Sequence, residues 1–169
     1  MASTGLALSQ QPEQPERHDL AFGPPLIGTA GTELEFPLTL APSSADRKIA
    51  KLVAELKLPS QLRFGNVELA FEARSAGAQV ATEQLEDGRT RIQISVIEGG
   101  QPLPAVDIAR VTIDIAHDVN EGTLKILVVS VEAVDSSGAQ TDLSHPAEIP
   151  VEVVSSKLLP LVSCFFYMH

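Results

Sequence analysis

The chain has 169 residues, 12 Lys and Arg against 22 Asp and Glu, and a formal charge of −10. That length holds one domain with short tails and buries enough surface to need no disulfide or metal staple, and the acidic balance excludes a phosphate-neutralising nucleic-acid binder. No apolar run reaches the roughly 18 residues of a membrane-spanning helix, and the single Cys excludes a disulfide framework or a cysteine-rich zinc site.

Residues 1–19 read as a disordered polar leader or as the remnant of a signal peptide. They lack a basic n-region, but Ala7, Leu8 and Ser9 resemble the small-residue end of such a peptide. The Pro, Gln and Glu of residues 10–16 make a linker in either case.

From residue 20 to 154 the dominant signal is apolar–polar alternation with period two, the mark of strands with one buried and one wet face. In chain order the apolar positions are Leu34, Phe36, Leu38 and Leu40; Leu52, Ala54, Leu56 and Leu58; Val67, Leu69 and Phe71; Ile92, Ile94 and Val96; Val111, Ile113 and Ile115; and Ile149, Val151 and Val153. Turn residues separate these runs at Gly28–Gly31, Pro42–Ser44, Pro59-Ser60, Gly65-Asn66, Asp87-Gly88, Gly99-Gly100, Asn120–Gly122 and Ser136–Gly138. Asp87-Gly88 between two alternating runs is the clearest hairpin signal. Residues 124–134 are apolar on both parities, which predicts a central strand covered on both faces. Pro37 and Pro150 fall inside strand patterns, so each belongs at a sheet edge or bulge where its missing donor is not needed. Short strands at this spacing, with no long helix, predict an all-β fold: an antiparallel β-sandwich of jelly-roll topology with about eight or nine strands. Residues 155–169, ending in Phe165, Phe166 and Tyr167, stand outside the alternation. They read as a hook on the sandwich, the stub of an anchor, or sequence without function.

The search for chemistry finds no catalytic residue. None of His18, His117, His145 and His169 sits near a nucleophile-elbow motif. The run from Asp135 to Asp142 resembles a calcium loop but lacks a closing Glu, so it reads as a turn. No metal and no cofactor is expected. The chain has no Trp, and three of its rings lie in the terminal tail, so a platform for stacking sugars is not expected either.

Three stretches carry a family likeness. Residues 26–40 give a short apolar strand, a Gly-containing turn, and an alternating strand with a proline. Residues 50–64 give a strand closed by Pro59 and followed by Leu62 and Phe64. Residues 111–116 and 122–138 give two apolar strands, the second ending in an Asp/Gly loop. In this order of features the chain resembles the cohesins, receptor modules of bacterial cellulosome scaffolds. The resemblance implies a nine-stranded jelly roll, secreted or on the cell surface, that binds a protein partner and catalyses nothing. The family's partner surface is one sheet face made by its third, fifth, sixth and eighth strands, here about residues 51–58, 78–85, 90–97 and 123–134. The outward positions are then Lys51, Val53, Glu55, Lys57, Arg91, Gln93, Ser95, Lys125 and Leu127. The cations Lys51, Lys57, Arg91 and Lys125 would make a patch for an acidic or mixed partner, with Val53 and Leu127 as apolar contacts; an ordinary solvated sheet face is the competing reading. Two functional alternatives stay open: a carbohydrate-binding module in polysaccharide degradation, and a structural β-domain of a bacterial cell-surface or secretion assembly.

Overall fold

The computed structural model of the chain describes residues 18–155; the expectations for residues 1–17 and 156–169 lie outside them. The alternating runs become strands where expected. In chain order they are β1 (Leu20–Ala21), β2 (Leu26–Gly28), β3 (Glu33–Leu40), β4 (Ile49–Lys57), β5 (Leu62–Leu69), β6 (Ala78–Gln84), β7 (Arg89–Val96), β8 (Asp107–Ile115), β9 (Gly122–Asp135), β10 (Gln140–Thr141) and β11 (Glu148–Val153). A 3-10 turn covers Pro42–Arg47, and a one-turn helix, α1 (Phe71–Ser75), links β5 to β6.

Two curled sheets result. The smaller has the order β1-β3-β8-β5, and the larger β2-β11-β9-β4-β7-β6 with β10 beside β9. All pairs are antiparallel except β2 with β11, which run parallel. The fold is the predicted all-β sandwich of jelly-roll type. Of its eleven strand segments, β1, β2 and β10 are only two or three residues long.

Period two decides what fills the space between the sheets. Phe36, Leu38 and Leu40 on β3 and Val111, Ile113 and Ile115 on β8 face Leu52, Ala54 and Leu56 on β4, Ile92 and Ile94 on β7, and Ile149, Val151 and Val153 on β11, all buried. Each large apolar side chain so buried contributes about 1.5–3 kcal/mol. Phe22 crosses from β1 towards β2 and meets Phe36 with ring centroids 6.5 Å apart.

Both prolines sit where no ladder donor is required. Pro37 pairs with Arg110 on β8, while β1 covers only Thr39 and Leu40 on the other side. Pro150 pairs with Lys125 on β9, one residue short of the contact between β11 and β2. Asp87-Gly88 closes the β6–β7 hairpin, with Gly88 at φ +78°, a conformation cheap only for glycine.

Four local expectations are corrected. Gly65-Asn66 is not a turn: it is a bulge inside β5, between Phe64 and Asn66 opposite β8. Phe71, expected in the core, begins α1 and is 75% exposed, because the chain leaves the sheet at Ala70 and the strand parity ends there. Residues 124–134 do form a central strand, but only one of its faces is covered. Leu127 and Val129 are 44% and 45% exposed on the other, since among the described residues no layer packs over the larger sheet's outer face. Finally, Glu55, expected on the solvent side, is buried, as described below.

Candidate interaction face on the larger sheet

The strands β9, β4, β7 and β6 are consecutive neighbours in the larger sheet. They are the four segments singled out from the sequence, now brought onto one surface. Their register arranges the outward side chains in rows across the sheet. Val134, Lys51, Ser95 and Gln79 form the first, and Glu132, Val53, Gln93 and Ala81 the second. Ser130, Glu55, Arg91 and Glu83 form the third, and Leu127, Lys57 and Arg89 the fourth. Beyond β9, Lys125 lies beside Pro150 and Leu127 beside Glu148.

The centre of this face is a charged clamp. Glu55 is 8% exposed. Arg89 Nη1 donates to its Oε2 at 2.6 Å, and Arg91 Nε and Nη2 donate to its Oε1 at 2.9 and 2.8 Å. Arg91 Nη1 also donates to Glu83 Oε2 at 3.1 Å, and Arg89 Nε to Asp87 Oδ2 at 2.5 Å. The hydrogen bonds to Glu55 raise the pKa of Arg91; partial burial opposes this and the charges of Glu55 and Glu83 add to it. Planar guanidinium forks suit such carboxylate pairing. Glu55 therefore pins the β6–β7 hairpin to β4 and does not project to solvent.

The face is also less basic than the sequence suggested. Arg91 is neutralised by Glu55 and Glu83, and Lys125 pairs with Glu148 at 2.9 Å. Lys51 and Lys57 form no ion pair among the described residues. Val53 is half-buried, and Leu127 with Val129 forms an exposed apolar step beside β4. Gln93 and Ser95 supply neutral polar groups on β7.

Two contributors were missed. Arg89 completes the clamp; it stands two residues before Arg91, on the same parity, so it was legible once the hairpin was placed. Val129 was not legible. A bulge lets Val128 and Ser130 pair with consecutive β4 residues, Leu56 and Glu55, and leaves Val129 as the extra residue, facing outward.

The rest of the surface offers less chemistry. An apolar cavity of about 550 Å³ lies between the sheets' edges, lined by Phe22, Pro24, Pro25, Pro42, Ile149 and Pro150 among others. A second cavity, of about 420 Å³, is lined by Arg63, Asp114, His117 and Asp118 among others. Asp135 Oδ1 accepts from Ser137 N, Ser137 Oγ and Ala139 N at 2.8, 2.6 and 3.0 Å, with the Ser137 hydroxyl foremost in lowering its pKa. The calcium-like run is thus a self-satisfied turn. Among the described residues no group of three His, Cys, Asp or Glu is placed to hold a metal.

Solved structures superpose on this sandwich over four fifths of the chain or more. The chain has a cohesin-like fold. A type I cohesin of Clostridium thermocellum, solved in complex with a dockerin, superposes with a TM-score of 0.67 at 14% identity, covering 82% of this chain and all of that one. A non-cellulosomal cohesin from the archaeon Archaeoglobus fulgidus gives 0.62 at 13% identity, covering 83% and 93%. A cohesin module from a Clostridium perfringens family 33 glycoside hydrolase gives 0.65 at 13%, covering 80% and 96%. Comparison of the sequence with protein-family models and with curated proteins finds no match.

Proposed function

We propose that this cohesin-like domain is a non-catalytic recognition module that binds a protein partner of dockerin type through the outer face of β9, β4, β7 and β6. The observation that carries the reading is the open face itself: a clamp-braced sheet surface with an exposed apolar step, Leu127 and Val129, beside two lysines that form no ion pair among the described residues. Exposed apolar groups ringed by polar ones are typical of interaction surfaces. The dockerin in the Clostridium thermocellum complex supports the choice of partner class. The same likeness supports a secreted or cell-surface location. The candidate contacts are Lys51, Val53, Lys57, Gln93, Ser95, Lys125, Leu127 and Val129; Glu55, Arg89 and Arg91 hold the face in shape.

The carbohydrate-binding reading lacks support on this face, since none of its outward positions is aromatic. Titration calorimetry of the purified chain against a panel of dockerin modules, beside a polysaccharide gel-shift, tests the choice. Binding of a dockerin that Leu127→Asp weakens at least tenfold supports the proposal. Retardation by a polysaccharide with no dockerin bound overturns it.

A further inference from the structure

The proposed docking face also specifies what its partner must look like, an inference that rests on that reading. Most charges on the face neutralise each other: Glu55 with Arg89 and Arg91, Glu83 with Arg91, Asp87 with Arg89, and Lys125 with Glu148. Lys51, Lys57 and Glu132 form no ion pair among the described residues. They are the charges left for a partner to answer.

Their places are fixed by register. Lys51 and Lys57 are six residues apart on β4, about 20 Å along the strand at the usual rise. Glu132 stands opposite Val53, hence about 7 Å along from Lys51 and about 5 Å to the side. Leu127 pairs with Lys57, and Val129 precedes Ser130, the partner of Glu55. Read along β4, the face therefore presents plus, minus, apolar, plus.

The partner's secondary structure follows from the backbone. β9 and β4, which carry Glu132, Leu127, Val129, Lys51 and Lys57, each have a strand on both sides, the edge of the face lying two strands away at β6, so this part of the face offers no free ladder groups to an added strand. An element lying on it must satisfy its own backbone and reach with side chains, which a helix does. A helix rises about 1.5 Å per residue, so offsets of 4, 7, 11 and 14 residues lie about 6, 10, 16 and 21 Å from its first contact. Those offsets also share one helix face.

We propose that the face accepts an amphipathic partner helix with a carboxylate at its first contact, a base four residues on, apolar side chains at seven and eleven, and a second carboxylate at fourteen. The carboxylates meet Lys51 and Lys57, the base meets Glu132, and the apolar pair packs on Val53, Val129 and Leu127. A chain of charge −10 repels acidic partners at long range, so the pattern, and not net charge, supplies the selectivity.

The test uses two helical 20-residue peptides of equal net charge, one with this acid–base–acid pattern and one with base–acid–base, each titrated into the full chain. Fluorescence anisotropy gives Kd, and amide shifts locate the contact. The expected result is at least tenfold tighter binding of the acid–base–acid peptide, with shifts on β4 and β9. The preference inverts in a Lys51→Glu, Glu132→Lys, Lys57→Glu variant, and Lys57→Glu alone reduces it. Equal affinities, the opposite preference, a preference unmoved by the variants, or no binding of either peptide overturns the inference. A dockerin that binds the face while the peptides do not discriminate leaves the docking reading standing; discriminating peptides with no dockerin bound remove the dockerin and keep the charge pattern.

Discussion

Two acidic residues show how local chemistry decides what a side chain does. On its strand Glu55 has a solvent parity, yet it is buried because two arginines fold over it. Removing the carboxylate from such a clamp leaves two neighbouring guanidiniums without their shared buried counter-ion, with only the exposed Glu83 and Asp87 to answer them. Glu55→Ala is therefore expected to cost about 2–3 kcal/mol in chemical denaturation, whereas Leu127→Ala, on the same face, should stay within about 0.5 kcal/mol. Asp19 is the second. Burial alone would raise its pKa, but hydrogen bonds from Ser144 and Ser43 and the Arg47 charge bring it from 3.8 down to about 2. Arg47 Nη1 donates to Asp19 Oδ2 at 2.9 Å and also to the Asp142 carbonyl, so Asp19 ties the chain before β1 to the 3-10 turn and to the loop ahead of β11. A carboxyl depressed on folding contributes stability in full above its unfolded pKa and loses it as the pH falls towards the folded one. The shift from 3.8 to about 2 corresponds to about 2 kcal/mol. Urea midpoints should show wild type ahead of Asp19→Asn at pH 6, with the gap closing between pH 4 and pH 2; a gap that stays constant would remove Asp19 from the acid response.

At the scale of elements, alternation was enough to predict most of the sandwich. Leu34–Leu40, Leu52–Leu56, Ile92–Ile94 and Val111–Ile115 all turned their apolar parity inward, because a strand's period of two leaves no other way to bury them. What could not be read is where the period slips. Gly65 and Val129 are each the extra residue at a bulge, set by the partner strand's register and not by their own neighbours. Phe71 lost its parity when α1 broke the strand. The candidate face was legible as four segments because a cohesin likeness named them, and their union in one sheet follows. The charge state of that face was not, since the pairing of Glu83 with Arg91 depends on strand register, and Asp87 and Glu148 reach the face from the hairpin turn and from β11. Core positions make their own prediction. Ile94 on β7 is fully buried, so Ile94→Ala should cost about 2–5 kcal/mol. Gly28 is buried on β2, and a Cβ there would stand 2.8 Å from both Ile115 Cδ1 and Leu34 Cδ2. Gly28→Ala should cost about 1–3 kcal/mol through overpacking, read as a lowered Tm.

For the molecule as a whole, the two outer faces differ in kind. The smaller sheet's outward positions, Glu35, Arg110 and Glu68 among them, are mostly polar, Pro37 being an exception, and Arg110 lies 3.7 Å from Glu35. The larger sheet exposes Leu127 and Val129 on a surface braced by the Glu55 clamp. A sheet face that keeps an apolar step in water and is cross-braced by ion pairs suits a preformed partner, since preorganisation lowers the ordering cost of docking. The most direct test is a backbone amide titration of the labelled chain with the dockerin that binds it best in the calorimetric panel. Docking on the larger sheet gives shifts concentrated on β9, β4 and β7, lost together with affinity in Leu127→Asp, while the smaller sheet stays unmoved. Shifts centred instead on β3, β8 and β5, or on the cavity between Phe22 and Pro150, would contradict it.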